Sequence, residues 1–139
     1  MGLVAACAAS GAIAAPACVP VVEQGWIRAA PPGAHVYAGY ARIREPCGKA
    51  VVIVGARSGS FAHVQMHETR VVDGVGTMRE TPRVTLAARG TLAFAPGGNH
   101  LMLMQPARPL PVGSRARIAF TLADGRVLAG DFVVRRDAP

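Results

Sequence analysis

Residues that form turns divide almost the whole chain into short segments. The 139 residues include 16 glycines and 11 prolines, and Asp73-Gly74 and Asp124-Gly125 are typical of tight connections between strands. The segments between the turns carry alternating or continuous apolar residues, which favour strands. The predicted strands are residues 25–29, 36–44, 50–56, 61–72, 75–79, 84–88, 100–104, 115–122 and 127–135. This pattern predicts a single all-β domain, either an antiparallel sandwich or a barrel.

The first 17 residues differ from the rest of the chain. They carry no charge, are mostly apolar and end in Ala15-Pro16-Ala17, which is similar to a signal-peptidase site. We therefore expect residues 1–17 to be a cleaved signal peptide and residues 18–139 to be the mature domain, exported to the periplasm of a Gram-negative cell. The chain has no uninterrupted apolar stretch of about 20 residues, so the mature chain is not expected to span a membrane.

Two alternatives for this segment remain open. The sequence Val4-Ala5-Ala6 before Cys7 is similar to a lipoprotein signal, which would anchor the protein through that cysteine. Only six residues precede Cys7, so we rank lipid anchoring below cleavage after residue 17. An Ala-rich first helix of the domain ranks lower still, because it would lack a polar face.

Removal of residues 1–17 would leave two cysteines, Cys18 and Cys47. An even pair of cysteines in an exported protein is most simply a disulfide. This bond would join the start of the mature chain to the end of the second predicted strand. Two free thiols or a metal-binding pair are less favoured alternatives.

The chain is strongly basic, with a formal net charge of +7, and Lys49 is its only lysine. Nucleic-acid binding is disfavoured because the arginines are scattered and the only basic pair is Arg135-Arg136. The serines lack the Gly-x-Ser-x-Gly pattern of a hydrolase nucleophile. We therefore expect neither a nucleic-acid partner nor an enzyme, and we interpret the charge as a solvated surface or as steering towards an acidic protein.

Histidine and methionine residues form the most informative pattern. In a strand, residues two apart share a face, so His100 and Met102 should point away from the core if Leu101 faces it. His67 lies on another predicted strand, and the turn at residues 73–74 brings Met78 back beside it. Each residue alone is most simply a core methionine or a hydrogen-bonded histidine. Together they predict a neutral site of two imidazoles and two thioethers.

Two imidazoles and two thioethers favour some metal ions over others. Thioether sulfur favours Cu(I), whereas zinc prefers thiolate, imidazole or carboxylate, and calcium and magnesium require oxygen. A blue-copper electron-transfer site needs a cysteine thiolate, which this set lacks. Four protein ligands would also leave no open position for catalysis.

The spacing of these residues resembles the motif of the periplasmic copper chaperones of the PCuAC family. The motif is a histidine, ten residues, a methionine, twenty-one residues, a histidine, one residue and a methionine, and His67, Met78, His100 and Met102 match it without a gap. Residues 66–69 and 96–103 also look like family sequence, as do residues 25–28. The resemblance extends over about residues 25–134.

The resemblance implies a cupredoxin-like Greek-key β-sandwich or barrel and one Cu(I) ion per chain, bound by His67, Met78, His100 and Met102. It implies delivery of copper towards the copper A centre of cytochrome c oxidase, in concert with a thioredoxin-like assembly protein. We also expect the chain to be a monomer. The alternative is a copper storage or resistance protein without a dedicated acceptor.

The sequence departs from the family's pattern in two respects. Members often have another methionine close before the second ligand, whereas Gly76-Thr77 precede Met78 here and offer no substitute donor. Many members carry a His- and Met-rich C-terminal tail that holds a second, oxidised copper, and residues 135–139 contain neither residue type. A second Cu(II) site is therefore doubtful. Met104, Met66 and His63 are spare donors near the motif, and we expect Met104 to be structural.

Overall fold

The computed structural model describes residues 7–11 and 18–139, and ten strands account for most of the second range. The strands are β1 (Val21–Arg28), β2 (Val36–Arg44), β3 (Val51–Arg57), β4 (Phe61–Val72), β5 (Val75–Glu80), β6 (Val84–Leu86), β7 (Thr91–Phe94), β8 (Asn99–Pro106), β9 (Arg115–Leu122) and β10 (Val127–Arg135). The expected all-β class is confirmed. Within the described ranges, no helix has the length and apolar character needed to cross a membrane.

The strands form one continuous sheet in the order β5-β4-β8-β7-β2-β1-β10-β9-β3-β6, and β8 also pairs directly with β2. Most neighbours are antiparallel, while β1–β10 and β7–β8 are parallel. The sheet curves so that the inward faces of distant strands share one apolar core. Alternate residues of each strand therefore divide between the core and the outer surface.

The core is filled by aliphatic and phenyl side chains from both halves of the sheet. Residues with no exposed surface are Ile27, Ile43, Ile53, Leu101, Leu103, Ile118, Phe120, Phe132 and Val134. Because Leu101 and Leu103 belong to this set, the outward face of β8 is the one that carries His100 and Met102. The predicted orientation of this strand is confirmed.

Most strand boundaries agree with the sequence prediction, and β1 and β7 are the main exceptions. Strand β1 starts at Val21, because an irregularity at Gln24 (φ 53°) allows residues on both sides to pair with β2. Gly25 follows it, where a Cβ atom would lie 2.7 Å from the Phe132 ring. Strand β7 was not predicted, since its four residues are held by pairing with β2 rather than by their own pattern.

The predicted disulfide between Cys18 and Cys47 is confirmed, with 5.8 Å between the Cα atoms. It lies beside the first β1–β2 pair, Val21 and Arg44. The buried Glu45 accepts a hydrogen bond from the Cys47 backbone N–H at 2.8 Å. The disulfide therefore closes the end of the sheet at which the domain begins.

The predicted signal segment falls largely outside the described residues, which exclude 1–6 and 12–17. Its cysteine, Cys7, is exposed and forms no disulfide within the described part of the chain.

Candidate metal site

Three neighbouring strands bring the four predicted ligands to one face of the sheet. His67 on β4 lies directly opposite His100 on β8, and Met102 lies opposite Gln65, two residues from His67. On the other side of β4, Met78 of β5 lies opposite Thr69. Paired residues and residues two apart share a face, so all four side chains project from the outer surface of β5, β4 and β8.

The two histidines form the centre of this arrangement. Their ring centroids are 5.8 Å apart, and the rings are inclined at 47°. Metal–nitrogen bonds of about 2 Å allow rings at such a separation to bind one ion between them after small rotations.

His100 offers a buried nitrogen that has no protein partner. Its side chain is only 5% exposed, and its Nδ1–H donates a hydrogen bond to the Gly98 carbonyl at 2.9 Å. A carbonyl can only accept, so Nε2 carries the free lone pair. Among the described residues, Nε2 is one of two buried side-chain polar atoms without a hydrogen-bond partner. Because an unpaired buried polar atom is costly, this nitrogen is best explained as a ligand position.

His67 is oriented by Gln65, which the sequence analysis did not select. The His67 Nε2–H donates to the Gln65 Oε1 at 2.9 Å, and this bond leaves Nδ1 available for a metal. Metal-binding histidines commonly donate their second ring N–H in this way. Gln65 could have been selected from the sequence, because it lies two residues before His67 and therefore on the same face of the strand.

We predict that Gln65→Leu weakens Cu(I) binding by about tenfold, because the ring of His67 loses the acceptor that sets its tautomer and orientation. Gln65→Glu, which keeps an acceptor at the same position, should restore most of the affinity. Competition with a chromophoric Cu(I) chelator measures both variants, with chemical unfolding as the control for stability. An unchanged affinity in Gln65→Leu would contradict this role.

The two methionines differ in exposure. Met78 lies on the edge strand β5 and is 64% exposed, whereas Met102 is half-buried between Gln65 and Ala38 of β2. Both methionines and His100 line a shallow cleft of about 280 Å³ that also includes Thr69. The cleft is thus enclosed at Met102 and open to solvent at Met78.

Aromatic side chains form the wall of the cleft opposite Met78. Tyr40 lines the cleft, is almost fully buried and packs on Trp26 with ring centroids 4.6 Å apart. The Arg28 guanidinium lies 5.8 Å from the Trp26 ring and 5.5 Å from the Tyr40 ring, within cation–π range. This wall closes the β2 side of the cleft.

The surroundings of His67 favour its neutral form. Partial burial lowers the pKa of His67 below the ordinary value of 6.5, and the neighbouring His100 lowers it further. Glu80, which lies opposite His67 on β5, raises the pKa of His67. The lowered pKa favours the neutral imidazole that a metal requires.

The pH dependence of metal binding follows from this lowered pKa. We predict that Cu(I) affinity is nearly constant between pH 8 and 7, because the pKa of His67 lies below its ordinary value of 6.5 and thioethers do not titrate in this range. Affinity should then fall at more acidic pH as protons compete for the imidazole. In Glu80→Gln the affinity should begin to fall at a lower pH, since the carboxylate that raises the pKa of His67 is removed. A loss of affinity between pH 8 and 7 would contradict the prediction.

The three spare donors lie on different sides of the sheet. Met66 faces the core and is 4% exposed. His63 and Met104 lie directly opposite each other on β4 and β8, on the same outer face as the four predicted ligands.

Comparisons with known proteins identify the family and the fold of the chain. The family described as "Putative lipoprotein LpqE-like" matches residues 21–134. The chain is 32% identical over 105 residues to "Putative lipoprotein Lxx21020" of Leifsonia xyli subsp. xyli, covering 75% of this chain. The match spans 62% of the length of that relative.

Solved structures show the same fold. Cu(I)-bound DR1885 from Deinococcus radiodurans is 30% identical, with a TM-score of 0.65 over 92% of this chain and 84% of that one. Its apo form is 28% identical, with a TM-score of 0.67 over 99% and 92% of the two chains. The copper-bound PCuAC domain from PmoF2, at 23% identity, has a TM-score of 0.66 over 85% and 92%.

These likenesses confirm the expected cupredoxin-like β fold and the resemblance to PCuAC copper chaperones. They extend over nearly all of the described domain, including β4, β5 and β8, which carry the predicted ligands. With the family match covering residues 21–134, the chain belongs to the LpqE-like family and has the fold of a PCuAC copper-chaperone domain.

Proposed function

We propose that this protein is an exported metallochaperone that binds one Cu(I) ion through His67, Met78, His100 and Met102. The observation that carries the proposal is the buried His100 Nε2, which has no hydrogen-bond partner and belongs to a side chain that lines a cleft together with Met78 and Met102. The structures of Cu(I)-bound DR1885 and of the copper-bound PmoF2 domain support copper as the metal.

The chemistry of the donors favours the reduced ion. Two neutral imidazoles and two thioethers add no negative charge, and thioether sulfur prefers Cu(I) to harder divalent ions. The cysteines within the described domain, Cys18 and Cys47, are joined in a disulfide and supply no thiolate. The site can therefore hold Cu(I) in an oxidising compartment without a thiol at risk of oxidation.

The exposure of Met78 supports transfer rather than permanent storage. Since Met78 is the most exposed of the four ligands and lies on an edge strand, an incoming donor can displace it while the other three still hold the ion. We propose delivery towards the copper A centre of cytochrome c oxidase, either directly or through a thioredoxin-like assembly protein. The alternative is a storage or resistance protein, which would use the same ligands without a dedicated acceptor.

A transfer assay distinguishes the two functions. The Cu(I)-loaded protein is mixed with the apo copper A domain of the oxidase, and formation of the copper centre is followed spectroscopically. A chaperone should transfer its ion, and the rate should fall as salt rises if the +7 charge steers the encounter with an acidic partner. If no copper moves to this domain or to a thioredoxin-like assembly protein, delivery is excluded and storage is supported.

We propose the periplasm as the site of action. The lipoprotein descriptions of the family and of the Leifsonia relative support export, and they also strengthen the alternative of lipid attachment at Cys7. Fatty-acid labelling of cells expressing the chain and its Cys7→Ser variant tests this alternative. A label that disappears in the variant would establish anchoring, whereas an unlabelled, released protein would support cleavage after residue 17.

A further inference from the structure

Soft donors continue along the outer face of β4 and β8 beyond the four proposed ligands. His63 and Met104 form the cross-strand pair that lies beyond Gln65 and Met102. The positions alternate regularly, so this pair shares the outer face with His67 and His100. The two strands thus place a second histidine and a second methionine side by side on the metal-binding surface.

The dimensions of the pair suit a single soft metal ion. Side chains directly opposite each other in an antiparallel pair have Cβ atoms about 4.5–5.5 Å apart. An imidazole nitrogen and a thioether sulfur on such positions can converge on one ion, because metal–ligand bonds to nitrogen and sulfur are about 2.0–2.3 Å long. His63 is exposed and Met104 is half-buried, so solvent reaches the pair while Val36, opposite Met104 on β2, provides an apolar neighbour.

We propose that His63 and Met104 form a second, weaker Cu(I) site beside the main one. The proposal uses the metal of the proposed function but depends on different side chains. Two residues along a strand span about 7 Å, so Met102, a ligand of the main site, is the next thioether along β8 from Met104. An ion can then pass between the sites by exchanging one thioether for the next without leaving the face. Met104 would accordingly be a metal ligand and not the structural residue expected from the sequence.

Silver titration followed by NMR of methionine methyl groups tests the second site directly. Ag(I) serves as a redox-stable probe for Cu(I), and the full chain carries Cys7→Ser to remove the exposed thiol. The first equivalent should shift the methyl signals of Met78 and Met102. The second should shift that of Met104, with an affinity lower by more than about 100-fold because it has two protein donors in place of four.

Variants separate the two sites. Met104→Leu and His63→Ala should abolish binding of the second equivalent and leave the first intact, while the control Met66→Leu, on the core face, should change neither. His100→Ala should weaken the first site and keep the response of Met104. The proposal is overturned if Met104 does not respond in the parent protein, or if the second equivalent still binds when His63 and Met104 are both replaced. Failure of the main site would appear separately, as unresponsive Met78 and Met102.

Discussion

Replacing Met102 with leucine is expected to weaken Cu(I) binding by more than about 100-fold, since loss of a direct ligand should exceed the 10- to 100-fold effect typical of residues that only support one. Leucine retains the volume and apolar character of methionine, so the half-buried position should stay packed. Met78→Leu and His100→Ala should have effects in the same direction. Competition with a chromophoric chelator measures the three affinities.

Met66→Leu is the matched control for this experiment. Met66 lies on the same strand pair but faces the core, so its thioether cannot reach the cleft. Its replacement should leave the affinity unchanged, and the small packing change should cost less than about 1.5 kcal/mol of unfolding free energy. If all three ligand variants bind Cu(I) as tightly as Met66→Leu does, the assignment of the site is wrong.

Removal of the disulfide is expected to lower the free energy of unfolding by about 3.5 kcal/mol, because the bond closes a loop with a sequence separation of 29 residues. For a domain of this size, such a loss corresponds to a decrease of roughly 10–20 °C in Tm. The double variant Cys18→Ala/Cys47→Ala, compared with the parent in denaturant titrations, measures the effect.

Copper affinity should be preserved in the folded double variant. The disulfide lies beside Val21 and Arg44, whereas the part of β2 nearest the metal site is at Ala38. Cys7→Ser is the control, since Cys7 forms no bond to either of the other cysteines. Equal stability of the double variant and this control would show that the bond contributes little to the native state.

The sequence predicted the alternation of faces within strands reliably. The orientation of His100 and Met102 away from Leu101 and Leu103 needed only the two-residue period of a strand and the preference of leucine for the core. The hairpin that returns Met78 to β4 was evident from Asp73-Gly74. These features are local, so they leave a pattern in adjacent residues.

The sequence pattern could not predict features that depend on pairing between distant strands. Strand β7 has only four residues and forms because β2 offers a partner, while β8 must pair with β4 before His67 and His100 can meet. The hydrogen bonds that His67 and His100 donate to Gln65 and Gly98 span only two residues, but the strand pattern does not show which ring nitrogen they leave free.

By itself, the sequence determined the all-β class, the candidate disulfide and the four donor types whose spacing is typical of a copper site. Only the tertiary structure decided that the donors share one face, that His100 presents a buried nitrogen without a partner, and that Met78 remains open to solvent. The physical reason is that strand pairing joins residues distant in the chain. Burial, which helps to set the reactivity of each donor, follows from those partners.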